Sequence, residues 1–250
     1  MDSNNIRVLL KNRMTNCFMS VNKNRNVVLL GLNGLSKEQL TYILTQYFQF
    51  PRSIVSILVS ATYTFGYHGW TELVGELREN VFEELGGGSG HIASEFGPHY
   101  SIVRKELENV FEVDIHESNP SPATTQFLDS LKLIMQSEPW KAAGGVFALE
   151  ASAVPELGIV IKLVNHLASL QRKSLTRNLV NFFQFHVNDI EVGHRDRLIK
   201  LLEGQLSDSS NLAKFLEGYD AVLQAMDEWW ACLKHEAQAR DVAPDLALAH

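Results

Sequence analysis

With 250 residues, 45% of them hydrophobic and 20% charged, the chain has enough apolar material for one large core and lies far from compositions that stay disordered. A formal net charge of −7 leaves no basic field for a phosphate backbone or an anionic membrane, so neither nucleic acid nor membrane is expected as a partner. Apolar runs such as residues 54–60 fall far short of the roughly 20 residues a membrane crossing needs, and the polar start MDSNNIRVLL is unlike a secretory signal, so a cytoplasmic protein is expected.

Residues 1–33 read as an N-terminal extension whose one apolar run, residues 27–32, fits either a strand or a short packed segment. From Ser36 the pattern turns helical: Ser36 with Gln39 forms a capping box, and Leu40, Ile43, Leu44 and Tyr47 follow at helical spacing. Phe50-Pro51 is expected to end that helix. One long helix is predicted over residues 51–85, with Ile54, Ile57, Leu58, Leu73, Leu77, Val81 and Phe82 as its buried stripe, and it runs into the glycines of residues 86–90.

A further helix is predicted over residues 100–111, and SNPSPATT at 118–125 is a loop of turn formers. Helices follow over residues 125–136, 140–170, 174–203 and 209–236, the last with Ser207, Asp208 and Ser209 as N-cap candidates. Residues 241–250 read as a disordered tail. Nothing alternates like a β-sheet, so a single all-α domain is predicted over residues 1–250.

Cys17 and Cys232 lie near opposite ends of the chain and form no CxxC pair, so any metal must be held by imidazole and carboxylate. Glu84 and His91 are seven residues apart, two helical turns, and share a face if the backbone stays helical. Glu150 sits among Val146, Phe147, Leu149, Val154 and Leu157, where an unpaired carboxylate would be costly; a salt bridge or a metal answers that. In NFFQFHVNDIEVGHRDRL, residues 181–198, His186, Asp189, Glu191 and His194 crowd together beside Phe182, Phe183 and Phe185. Helical bundles build metal sites from such inward-pointing groups, and hard carboxylates with imidazole favour iron or manganese over structural zinc.

These three elements, in this order, resemble the haem-oxygenase-like dimetal oxidases, which include the CADD-like proteins; the likeness covers about residues 51–205. Members show a Glu and a His seven apart, a lone Glu two helices on, and then His-x3-Asp-x2-His. Glu84 with His91 fits the first element and Glu150 the second. The third departs by one residue, since His186 to His194 spans eight positions where the family has seven. Glu191 keeps the carboxylate-x2-His spacing to His194, and a one-residue π-bulge after His186 would restore the ligand face; Asp189 is the rival ligand.

The resemblance implies a seven-helix haem-oxygenase-like bundle and two ferrous ions, with manganese as the other metal. Their ligands would be Glu84, His91, Glu150, His186, Glu191 and His194, and Glu150 would be free to bridge and is the residue on which catalysis would depend. It further implies dioxygen as co-substrate and oxidation or cleavage of a small carboxylate, with an amino acid expected because the aromatic and polar mixture at residues 63–70 suits a compact ligand. The family also contains fatty-acid decarboxylases, N-oxygenases and an enzyme that rearranges tryptophan into a nitrile. The rival reading is a non-enzymatic helical binding protein, and a homodimer is left open.

Four glycines between Glu84 and His91 would each cost a helix roughly 0.8–1 kcal/mol relative to alanine, so metal binding is expected to be coupled to local ordering there. Tyr63, Tyr67, His68 and Trp70 are set aside as packing residues rather than catalytic ones. His99, His116, His166 and His235 have no ligand partner at suitable spacing, and Lys162 reads as a surface lysine.

Overall fold

The computed structural model describes residues 3–87, 99–113, 115, 118–187 and 191–240, and every regular element among them is helical. In chain order these are α1 (Ser3–Cys17), α2 (Val27–Leu30), a 3-10 turn (Leu32–Gly34), α3 (Lys37–Tyr47), α4 (Gln49–Tyr67) and α5 (Thr71–Glu84). Then follow α6 (His99–Phe111), α7 (Pro122–Met135), α8 (Pro139–Leu170), α9 (Arg177–Phe185), α10 (Glu191–Leu202) and α11 (Ser209–Ala239). Eleven α-helices among the described residues exceed the seven expected: residues 51–85 and 174–203 each carry two where one was predicted, and the N-terminal extension carries two more.

α8 is the centre. Apolar along most of its circumference, as a buried helix must be, it packs along α11 and against α3, α4, α7 and α10. Gly144 and Gly218 set the closeness of the α8–α11 crossing: a Cβ on Gly144 would lie 1.8 Å from the Phe215 carbonyl oxygen, and one on Gly218 would lie 1.8 Å from that of Lys141. Only glycine lets the two backbones meet there.

Local chemistry sets the helix starts. The Ser36–Gln39 capping box forms as expected, Ser121 caps α7 with Pro122 in its first turn, and among the three candidates before α11 it is Asp208 that accepts from Ser210 and Asn211. Pro51 does not end a helix. α3 stops at Tyr47, and Pro51 falls in the first turn of α4, where a missing N–H leaves nothing unpaired.

The helix expected over residues 51–85 breaks at His68-Gly69-Trp70. Gly69 takes φ +76°, the amide of Trp70 returns to the Phe65 carbonyl at 2.9 Å, and the Trp70 ring stacks on Phe65 and meets Trp140 edge-on. The chain reverses there, which lays α5 alongside α4. Within the helix expected over 174–203, α9 ends at Phe185 and α10 begins at Glu191. Residues 27–32 form a helical turn capped by Asn26 and the start of the 3-10 turn, not a strand.

Residues 3–33 of the N-terminal extension are part of the fold. Ile6 and Leu10 are buried, the Tyr219 hydroxyl donates to the Leu10 carbonyl at 3.1 Å, Arg13 pairs with Asp220, and Asp227 accepts from the amides of Met19 and Ser20. α1 is thereby fastened along α11. No helix among the described residues is long and apolar enough to cross a membrane.

Candidate metal centre

α5 carries Glu76, Asn80 and Glu84 at four-residue spacing, so the three recur on one face of the helix. That face meets α10, α8 carries Glu150 in the same region, and α9 ends at Phe185 just before His186. Glu84, Glu150, His186 and His194 all line one partly open cavity of about 120 Å³. The remaining walls are mostly apolar, with Phe48, Phe50, Ile54, Leu58, Phe182 and Phe183 among them.

The chain continues from α9 into π-helical geometry at His186 and Val187, at the start of the interval in which the extra residue of the third element was placed. His186 is 5% exposed, its Nδ1 lies 2.8 Å from the Phe182 carbonyl oxygen, and the Phe182 ring centre is 3.9 Å from its own. A carbonyl accepts only, so Nδ1 carries the proton and Nε2 is the basic nitrogen, the state a metal-binding imidazole requires.

Asn80 donates its amide to Oε1 of Glu150 at 3.0 Å. The Glu150 carboxyl is nevertheless pushed up to about 8, first by burial and then by the negative field of Glu84. A carboxyl whose ionisation is disfavoured by burial and by a neighbouring carboxylate suits a cation placed beside it.

His194, 4% exposed, is held from both sides. An Arg197 guanidinium nitrogen lies 2.8 Å from its Nδ1, and Oε2 of Glu83 lies 2.9 Å from its Nε2. Arg197 also donates to Glu76 at 2.6 Å, and that same Glu76 oxygen is 3.8 Å from Nδ1 of His194. Burial, then the charge of Arg197, lowers the imidazole to about 4 and keeps it neutral.

Four of the six expected ligands are thus gathered on one cavity. Glu191 opens α10, while His91 and the rival Asp189 lie outside the described residues. Among the described residues, no group of three His, Cys, Asp or Glu side chains stands close enough to hold an ion by itself. The donor types fit iron or manganese, and the positions that would complete the set fall in segments 88–98 and 188–191.

Asn80, Glu76, Glu83 and Arg197 were not anticipated. The spacing of Glu76, Asn80 and Glu84 was a usable signal, whereas Arg197 follows His194 by three residues and reads in sequence as one more exposed cation. The packing reading of Tyr63, Tyr67 and His68 is overturned: all three are exposed, none of them lines the cavity, and Thr64 and Phe65 are the buried residues of that stretch. Tyr63 and Tyr67, four residues apart on α4, share its outward face. Lys162 and His235 are exposed, His166 is half-buried, His116 lies outside the described residues, and Cys17 and Cys232 are exposed thiols.

The chain matches the sequence profile of a family described as a domain of unknown function with a solved structure, DUF3865, over residues 4–236. A CADD-like protein of unknown function from Nostoc punctiforme PCC 73102, solved at 2.00 Å and again at 1.35 Å, is 26% identical, with TM-scores of 0.85 and 0.84. The first comparison covers 94% of this chain and 98% of that one, the second 96% and 97%. A domain of unknown function with a haem-oxygenase-like fold from Shewanella denitrificans OS217 is 15% identical with a TM-score of 0.64, covering 96% of this chain and 95% of that one, which speaks to fold alone. No curated protein matches the chain. Matched over nearly its whole length and sharing the helical architecture of these structures, the chain belongs to the DUF3865 family of CADD-like, haem-oxygenase-like all-α proteins.

Proposed function

We propose that the chain is an oxygen-dependent non-haem dimetal oxidoreductase, two iron ions being its metals, that oxidises or cleaves a small carboxylate with an apolar body, an amino acid being the first class to test. The observation that carries this reading is the convergence of Glu84, Glu150, His186 and His194 from separate parts of the chain onto one apolar-walled cavity. Glu84, His91, Glu150, His186, Glu191 and His194 would hold the ions, which when bound supply the activation of dioxygen. Manganese is the alternative metal.

The chain's own groups set the conditions for that chemistry. Asn80 fixes one oxygen of Glu150 and leaves the other to face the cavity. Glu76 and Arg197 form a pair against Nδ1 of His194 and so set the rotation of its ring. Phe48, Phe50, Phe182 and Phe183 keep the space poor in water and provide flat walls for an apolar substrate.

A second reading, a helical binding protein without catalysis, is favoured by one observation: His194 already has Glu83 and Arg197 as partners. One experiment separates the two. Protein reconstituted with ferrous iron without oxygen is expected to hold about two irons per chain and to change its absorption when oxygen is admitted. Clearly less than one iron per chain with no spectral response would leave the binding protein.

A further inference from the structure

The cavity contains a second acidic position that the metal set does not use. Glu156 is 2% exposed, lines the same cavity, and lies six residues beyond Glu150 on α8, about 9 Å along the helix axis at 1.5 Å per residue. Positions 149, 150, 153, 156 and 157 all reach the cavity, so Glu156 shares the lining face of the helix. Its Oε1 accepts from the indole Nε1 of Trp230 at 3.3 Å, and Trp230 is its one hydrogen-bond partner among the described residues. A buried carboxyl needs more than one acceptor contact to offset the loss of water, and an apolar residue of similar size would fill the position without that cost.

A second polar group lies in the same wall. The Tyr100 hydroxyl is buried, has no hydrogen-bond partner among the described residues, and belongs to a residue that lines this cavity. The cavity therefore has a polar end at Glu84 and Glu150, aromatic and aliphatic walls, and two further polar groups apart from the metal set.

Resting on the reading of this cavity as the substrate pocket, we propose that Glu156 is a specificity-determining residue, its free carboxyl oxygen accepting a hydrogen bond from an N–H or O–H carried on the aromatic body of the substrate. The walls select a flat apolar body, the metal-side acids face its head group, and Glu156 distinguishes a donor-bearing ring from the same ring without one. Burial holds the carboxyl up to about 8 in the empty pocket, and a donor brought to Oε2 favours the carboxylate, whose second oxygen then accepts from the substrate's N–H or O–H. A pocket that hydrogen-bonds a substrate group rejects the analogue lacking it far better than an apolar pocket rejects a missing methylene, because its own polar atom is then left without a partner.

The test is binding rather than turnover, measured by calorimetry on the full chain without oxygen. The probes are two matched pairs: L-tryptophan with its benzothienyl analogue, in which sulfur replaces the ring N–H, and L-tyrosine with L-phenylalanine. The wild type is expected to bind the donor-bearing member of at least one pair about tenfold more tightly. Glu156→Leu should bring the two members of that pair to equal affinity, while Glu156→Gln, whose amide oxygen still accepts, should keep part of the preference and controls for folding. Equal affinities within both pairs in the wild type, a preference that survives in Glu156→Leu, or no binding of any probe would overturn the proposal. Selective binding in a protein that takes up no iron would sink the oxidoreductase reading and leave this one standing; iron uptake and oxygen response without selectivity would do the reverse.

Discussion

Arg197 presents a guanidinium nitrogen 2.8 Å from Nδ1 of His194. A guanidinium has only donors, so that nitrogen must be the bare one, and the proton sits on Nε2, where it donates to Glu83 at 2.9 Å. A metal bound at Nε2 would require the opposite tautomer, with Nδ1–H donating to an acceptor such as Glu76. Nitrogen-15 shifts of metal-free protein are expected to show His194 as the Nε2–H tautomer, and Arg197→Leu to give a mixture. An Nδ1–H form in the metal-free wild type would contradict this geometry.

Replacing Glu150 with Ala removes the carboxyl held by Asn80 and facing Glu84. Iron content and the oxygen-dependent spectral change should fall sharply, while helical circular dichroism stays near wild type, because the lost side chain borders a cavity rather than filling the core. Glu191→Ala is expected to lose iron and Asp189→Ala to lose little. The reverse ranking would make Asp189 the ligand, which changes the spacing to both His186 and His194 and leaves the bulge misplaced.

Gly218→Ala would drive a methyl group into the Lys141 carbonyl, a backbone atom that cannot step aside without separating α8 from α11. A loss of about 3 kcal/mol, the upper end of the usual range for overpacking, is expected in urea unfolding. Gly158→Ala, with nothing near its added methyl, should differ little from wild type or gain slightly, and serves as the control.

Glu156 gives the protein a pH dependence of known sign. Its folded carboxyl titrates near 8, while the unfolded chain titrates near the ordinary 4.5. Between those values the folded state holds a proton that the unfolded state has released, so this group's contribution to stability falls as pH rises from about 4.5 to 8, by as much as a few kcal/mol. Glu156→Gln should flatten that part of the stability profile and make metal-free protein more stable than wild type at pH 8. Parallel profiles for the two proteins would mean that Glu156 is already ionised at neutral pH.

The positions of α7, α8 and α11 were legible because their signals are local: a Ser or Asp cap, a proline in the first turn, and long apolar periodicity. Residues 68–70 were not read as a break because the apolar spacing continues on both sides of Gly69, and only the positive φ of that glycine shows that the chain reverses. α1 escaped notice because its polar face is rich in Asn and Arg, and Ile6 and Leu10 acquire their meaning from Tyr219, more than 200 residues away. At the site, Glu84, Glu150, His186 and His194 could be picked out by type and spacing. The hydrogen bonds from Asn80 to Glu150 and from Arg197 to His194 could not, since each depends on how helices cross.

The crossing of α8 with α11 also governs the order of events as the chain leaves the ribosome. α8, whose buried face includes Glu156 and whose cavity side carries Glu150, is complete at Leu170, yet the helix it packs along ends only at Ala239. For the time needed to make some seventy residues, α8 can pack on α3, α4 and α7 while its longest contact has no partner, and α1 waits longer still for the same α11. Native structure at this crossing is therefore a late event of synthesis, and the nascent chain is more vulnerable to aggregation until α11 emerges.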